Sequence, residues 1–488
     1  MRTAIIGAGI GGLAAAIRLA AAGDEVTVWE QNPVPGGKMG ELRLGPYRFD
    51  TGPSLFTLPE LVGELFARCG ERMEDRLPVR RLDASCRYFF PDGSGFVFYD
   101  DPQRLSHELA RQGIDGFPAI AKRLEAARET YRLSAPVFLF SNFHRLSNFN
   151  TPPYRAIASK LGRLDFLRTM HGADRRDFDD PRLVQLFDRY ATYNGSSPYR
   201  APATLNMIAH LEHNLGAWFP DNGIYSIAEE LCALARRQGV LFRFSSPVER
   251  IVVKQGRAVG LVVGGETLGY DRIVSDVDVR GLSERLLPEH PLRKRLHRAE
   301  PSSSALIFYW GMARRFPQLG LHNVLFSADY RAEFRHLFRA GDIADDPTVY
   351  LFISSKVVAG DAPAGCENWY AMVNAPADCG QDWARIVART RERVLQKIGK
   401  MLHTPVEDAI VTEKICTPPD IAAQTMSACG ALYGTSSNSP LAAFLRHPNS
   451  LPSIRGLYFA GGSVHPGGGI PLSLASAKIV CDEIAAGR

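Results

Sequence analysis

The first thirty residues limit the fold more than any other part of the chain. Residues 3–6 (Thr-Ala-Ile-Ile) read as a short buried strand that runs directly into Gly7-Ala8-Gly9-Ile10-Gly11-Gly12, a G-x-G-x-x-G turn. Residues 13–22, rich in Ala and Leu, predict a helix that Gly23 closes. A second strand over residues 25–29 ends at Glu30. Each part has a physical role in holding a dinucleotide. Gly7 makes the tight turn, Gly9 lets the backbone approach a pyrophosphate, and Gly12 lets helix and strand pack closely. The helix N-terminus offers unpaired N–H groups and a positive dipole end to the phosphates. Glu30 is placed to accept from ribose hydroxyls, and an acid there disfavours a 2′-phosphate. The predicted class is therefore α/β, with a Rossmann-type unit at its start.

A chain of 488 residues exceeds what one core normally supports, so two domains are expected. The formal charge of +5 is spread thinly, without the basic block that nucleic acid would require. The eight cysteines form no C-x-x-C pair, which points to a reducing compartment and small buried thiols. The apolar N-terminal run is interrupted by its glycines and Arg18, so it does not read as a signal peptide. No segment reaches the roughly 18 apolar residues that span a bilayer, so no crossing is expected.

Past Glu30 come Gly36-Gly37-Lys38 and then residues 41–50, a hairpin with a Gly45-Pro46 turn, leading into Thr51-Gly52-Pro53. Near the other end, residues 456–460 read as a strand. They open into Gly461-Gly462-Ser463-Val464-His465-Pro466-Gly467-Gly468-Gly469-Ile470-Pro471 before a helix over 473–485. Such a glycine- and proline-rich run suits a backbone pressed against a large flat ligand. This succession resembles the FAD-binding superfamily of amine oxidases, protoporphyrinogen oxidases and carotenoid desaturases, and the closing motif resembles the flavin signature of bacterial carotenoid desaturases. The resemblance implies FAD contacts at Gly37, Lys38, Gly52, Gly461, Gly462, Gly469, Ile470 and Pro471, with a backbone group at Val248 meeting the adenine. Further segments extend it over the whole chain: Phe187-Asp188-Arg189-Tyr190-Ala191-Thr192-Tyr193-Asn194-Gly195, residues 211–220, 321–326 and 432–437.

Short strands are predicted at 86–90 and 95–99, and a β-meander from strands 240–244, 248–253, 258–263 and 272–275. The implied organisation is a discontinuous FAD domain (1–80, 225–284, 445–488) and an α+β substrate domain (81–224, 285–444). The Ala191-Thr192-Tyr193-Asn194-Gly195 stretch and the closing motif look more like 3,4-desaturases of 1-hydroxycarotenoids than phytoene desaturases. The resemblance thus implies FAD-dependent dehydrogenation of an apolar polyene by hydride transfer, with oxygen, a quinone or another soluble acceptor taking the electrons. Arg189, Glu212 and His465 are the nominated polar groups, His465 either as catalyst or as part of the turn. An oxygenase or isomerase, a polyprenyl reductase or amine oxidase, and a non-catalytic polyene carrier remain alternatives; no aromatic cage of the amine-oxidase kind can be placed from sequence. Between 131 and 170, Arg132, Arg145, Arg155, Lys160, Arg163 and Arg168 face one acid, Asp165, with phenylalanines interleaved. That pattern predicts a peripheral docking surface on the cytoplasmic face of a membrane.

Overall fold

The computed structural model describes residues 1–488 except 161, 163, 440, 441, 443 and 488, and the side chain of residue 146 is left aside. Among the described residues two large sheets organise the chain. The first holds nine strands. Its centre is a parallel run in the order Leu241–Arg243, Glu25–Trp29, Arg2–Ile6, Arg272–Ser275, Ile454–Phe459. The Ile10–Ala21 helix crosses between the first two strands of the chain and is buried on nearly every side. That burial explains its Gly/Ala-rich sequence, because a helix walled in all round needs small residues. It packs beside the C-terminal helix, Ile470–Ala486.

The meander differs from the sequence expectation. Its strands are Val248–Lys254, Arg257–Val263 and Glu266–Gly269, joined antiparallel. Leu241–Arg243 and Arg272–Ser275 lie instead in the parallel layer, against Glu25–Trp29 and Arg2–Ile6. Strand periodicity finds a strand but not its neighbour, and these neighbours are more than 200 residues away in sequence. Glu266–Gly269, which carries a polar face, was not foreseen. Both terminal helices also begin earlier than expected, at Ile10 and Ile470, because the glycine turns end directly in helical backbone.

The second sheet has seven strands in the order Ile410–Cys416, Ser304–Met312, Glu367–Ala375, Val349–Phe352, His322–Leu325, Ala84–Phe89, Gly95–Tyr99. Its two longest strands, Ser304–Met312 and Glu367–Ala375, have opposite faces with opposite duties, as the period of two requires. Leu306, Phe308 and Trp310, with Trp369, Ala371 and Val373, pack under the Trp383–Leu402 helix. Ala305, Ile307 and Tyr309, with Tyr370, Met372 and Asn374, face the other way and line the cavity described below. No helix among the described residues is long and apolar enough to cross a membrane.

Candidate active site

A cavity of about 540 Å³ runs between the two sheets. It is bounded by Gly7, Gly9, Glu30 and Val248, by Gly37, Lys38 and Gly52, and by Gly462, Gly469, Ile470 and Pro471. These eleven are among the residues nominated from sequence, and they come together from remote parts of the chain. Arg189, Glu212 and His465 line the same cavity. Gly12 and Gly461 do not. A side chain at Gly12 would run into the Gly7 carbonyl, and Gly461 presses its backbone against Gly11, 2.8 Å from where a Cβ would sit. Both glycines permit close packing of backbone behind the cavity wall.

Glu30 is buried and already held. Its carboxylate accepts from the Ala8 N–H at 2.7 Å and from the Asn32 N–H at 2.8 Å. Lys38 donates to the Leu432 carbonyl at 2.6 Å, and burial draws its pKa down against the opposing charges of Asp278 and Asp276. Those two acids were not foreseen. They sit just beyond the C-terminal end of Arg272–Ser275, line the cavity, and approach the glycine turn so closely that a Cβ at Gly11 would lie 2.5 Å from an Asp276 oxygen. The signal that would have found them is the rule that open parallel sheets bind ligands beyond the carboxyl ends of their strands. Burial pushes the Asp276 carboxyl up to about 7; a Gly12 N–H opposes the rise and the charge of Glu30 adds to it.

Two helix N-termini, those of Ile10–Ala21 and Ile470–Ala486, open on this cavity. Gly469 has φ 98°, a left-handed-side conformation that L side chains rarely adopt, and nothing lies within 4 Å of where its Cβ would be. A profile of the flavin containing amine oxidoreductases matches residues 10–485.

The chain belongs to this flavin-containing oxidoreductase family.

The 1-hydroxycarotenoid 3,4-desaturase of Flavobacterium sp. (strain P99-3) is 42% identical over 480 residues, covering 98% of each chain. The 4,4'-diapolycopene oxygenase of Methylomonas sp is 34% identical, over 99% of this chain and 98% of that one. Among solved structures, an oxidoreductase from Methanosarcina mazei aligns with TM-score 0.66 at 14% identity, over 99% of this chain and all of its own. That last likeness bears on the fold alone.

The cavity fits the flavin this family carries. Paired helix N-termini suit its anionic and carbonyl groups, and the open space beside Gly469 leaves room for a flat ring against bare backbone. Lys38, Gly52, Gly462, Ile470 and Pro471 line this cavity and would be among the residues that hold the flavin.

The polar groups of this flavoprotein form a tight knot. Glu212 and His213 are presented by a π-helical turn, His210–Asn214, and Arg189, Tyr190 and Tyr193 by a 3-10 turn, Arg189–Asn194. Such turns are frequent where function needs an unusual side-chain direction. Arg189 donates to Glu212 at 3.2 Å, to the Tyr88 hydroxyl at 2.8 Å and to the Tyr193 hydroxyl at 2.9 Å. Tyr193 in turn donates to the second Glu212 oxygen at 2.6 Å. Burial alone would raise the Glu212 carboxyl, but Arg189, His213 and Tyr193 outweigh it and hold the pKa below its ordinary value. The acid is therefore an ion-paired carboxylate and not a solvated helix face.

His465 is buried, and its Nε2 lies 2.9 Å from the Ser141 carbonyl. A carbonyl partner fixes the proton on Nε2, leaving Nδ1 as the atom able to take another. Burial brings its pKa down to about 4, so the ring is neutral near pH 7. One further group was missed. Tyr309, Tyr350 and Tyr370 stand edge to face along one wall, with centroids 5.5 and 6.4 Å apart across Tyr370.

Proposed function

We propose that this protein binds FAD and desaturates an acyclic carotenoid, forming the 3,4 double bond of a 1-hydroxylated polyene. The observation that carries the reading is that one cavity joins the dinucleotide residues to an apolar lining: Phe138, Leu139, Met207, Ile208, Leu211 and Phe444 border the same space as Gly9 and Lys38. FAD, with its adenosine, accounts for why Glu30 and Val248 border that space as well. The substrate follows from the relative that is 42% identical along the full chain.

When bound, the flavin supplies a two-electron acceptor for a hydride leaving an allylic carbon. The chain itself must hold the polyene, exclude water and bear the positive charge left on the hydrocarbon until a proton leaves the neighbouring carbon. The rings of Tyr309, Tyr350 and Tyr370 border the cavity, and a ring face turned to such a cation steadies it by roughly 0.5–2 kcal/mol. The Nδ1 atom of His465 is a proton acceptor on the same cavity. Glu212, ion-paired with Arg189 and with its pKa held low, is a weaker base than a free carboxylate and is not assigned the proton. The electrons then pass to oxygen, a quinone or another soluble acceptor.

The substrate resides in a bilayer, and we place the protein peripherally on its cytoplasmic face. Phe149, Leu167 and Leu445 are large apolar residues 48, 84 and 53% exposed, with Arg145, Arg155 and Arg168 exposed in the same region. Arg163, counted with them in the sequence, lies outside the described residues. Oxygenation is the second reading, because a relative bears that name. Anaerobic addition of a 1-hydroxylated carotenoid to the holoenzyme should bleach the flavin's visible absorption. An unchanged spectrum would defeat the desaturase reading.

A further inference from the structure

An apolar tunnel for a hydrocarbon has no use for a buried ion pair, yet one is built into this wall. Arg189, Glu212 and His322 are each at least nine-tenths buried, and all three line the cavity. They come from three separate elements: the 3-10 turn, the π turn and the His322–Leu325 strand. The ion pair is net neutral and internally bonded, but the cluster is not complete. His322 Nε2 and Arg189 Nε are buried without a hydrogen-bond partner. Most buried polar atoms are paired, so each such atom calls for an explanation.

The other side of the His322 ring is fixed. Its Nδ1 lies 2.7 Å from the Tyr350 hydroxyl, and that hydroxyl lies 2.7 Å from Ser54 Oγ. Ser54 follows two residues after Gly52, and both line the cavity. The chain of hydrogen bonds thus ties His322 to the Gly52–Ser54 loop on the cavity wall. Burial lowers the His322 pKa, so the ring is neutral and keeps one donor or one acceptor unused, whichever tautomer Tyr350 selects.

We propose that His322, oriented by Tyr350 and backed by the Arg189–Glu212 pair, is the recognition site for a terminal hydroxyl on the polyene. This rests on the desaturase reading above and gives that reading its regiochemistry. A hydroxyl both donates and accepts, so it satisfies Nε2 in either tautomer; a plain hydrocarbon end leaves the atom unpaired. In a 1-hydroxylated chain the oxygen is three bonds from carbon 3, about 4 Å when extended. An anchor for it must therefore stand beside the reacting carbons, and the Ser54–Tyr350–His322 relay starts two residues from Gly52, one of the cavity residues expected to contact the cofactor. The same anchor decides which end of a long, nearly featureless molecule enters first.

The test uses flavin-loaded protein and two probes, an acyclic 1-hydroxycarotenoid and the same polyene without the hydroxyl, in identical micelles. Two ratios are measured: kcat/KM for each polyene, and equilibrium retention of each on chemically reduced holoenzyme, where no turnover occurs. The wild type is expected to prefer the hydroxylated chain by roughly 100-fold or more, as sites built around a substrate hydroxyl do. His322→Phe should reduce both ratios by at least about tenfold, while His322→Gln, which keeps a hydrogen-bonding group, should restore part of them. Should His322→Phe fail to fold, Tyr350→Phe, which releases the ring from its relay, should lower the same ratios. A His322→Phe protein with full flavin and unchanged ratios overturns the assignment. So does a wild type that converts and retains both polyenes equally, which leaves the desaturase reading intact. A wild type that converts neither polyene overturns that reading and this one with it.

Discussion

Replacing Arg189 by methionine should be among the most costly single changes in the protein, and the reason can be worked from the structure. The guanidinium is buried, makes hydrogen bonds to Glu212, Tyr88 and Tyr193, and lies 4.7–5.4 Å from the ring centroids of Tyr88, Tyr190 and Tyr193. At the 3.2 Å separation of the ion pair, an effective dielectric constant near 20 gives an attraction of roughly 5 kcal/mol. Breaking a buried pair by removing one partner costs about 3–5 kcal/mol, mostly because the other charge is stranded. For a chain of 488 residues that corresponds to a fall in Tm of about 3–5 °C. If the stranded carboxylate is the cause, the double variant Arg189→Met/Glu212→Gln should recover about half of the loss. The pH dependence follows with a definite sign. In the wild type Glu212 has a lowered pKa, so its contribution is present at neutral pH and lost on acidification. In the single variant burial is no longer opposed by Arg189, the pKa rises, and the penalty grows as pH increases. The gap in Tm between wild type and Arg189→Met should therefore be wider at pH 8 than at pH 5.5, by differential scanning fluorimetry of flavin-loaded protein. A double variant as unstable as the single one, with a gap independent of pH, would refute the reasoning.

Three further predictions concern the cofactor and the surface. Gly9 has an ordinary φ of −73°, so Gly9→Ala adds no backbone strain, but the new Cβ would fall on the Asp276 carboxylate. Flavin absorbance per polypeptide should drop by more than half in the purified variant. Asp276, with its pKa pushed up to about 7, is uncharged at lower pH and ionises beside the glycine turn at Gly9 and Gly11 as pH rises. Wild-type flavin affinity should weaken roughly tenfold between pH 6 and 8.5, whereas Asp276→Asn should stay level, by equilibrium dialysis. Reversing Arg145, Arg155 and Arg168 to Glu should cut flotation with anionic liposomes several-fold without loss of bound flavin; equal recovery would remove the docking surface.

What could be read from the sequence was what is local. The Glu25–Trp29 strand, the hairpin of Gly40–Leu44 with Tyr47–Thr51 and the two glycine loops all declare themselves within a dozen residues. Their convergence on one cavity was legible only because dinucleotide sites carry fixed motifs. Asp276 and Asp278 were missed because their position depends on Arg272–Ser275 pairing with Arg2–Ile6, a contact that no window of sequence contains. The same non-local pairing removed two strands from the expected meander. His322 lay within a stretch noted only for resemblance, and nothing in Leu-His-Asn-Val marks a histidine whose partners are Tyr350 and, through it, Ser54. Arg189 and Glu212 were nominated separately, 23 residues apart; that they form a pair follows from a 3-10 turn and a π turn, which apolar periodicity does not encode.

The central claim is the reaction itself, and the mass and absorption spectrum of the product test it most directly. Cells expressing this protein and supplying a 1-hydroxylated acyclic carotenoid should accumulate a product two hydrogens lighter, with its absorption shifted to the red by one more conjugated double bond. A product heavier by oxygen, or a substrate recovered unchanged by flavin-loaded protein, would contradict the account.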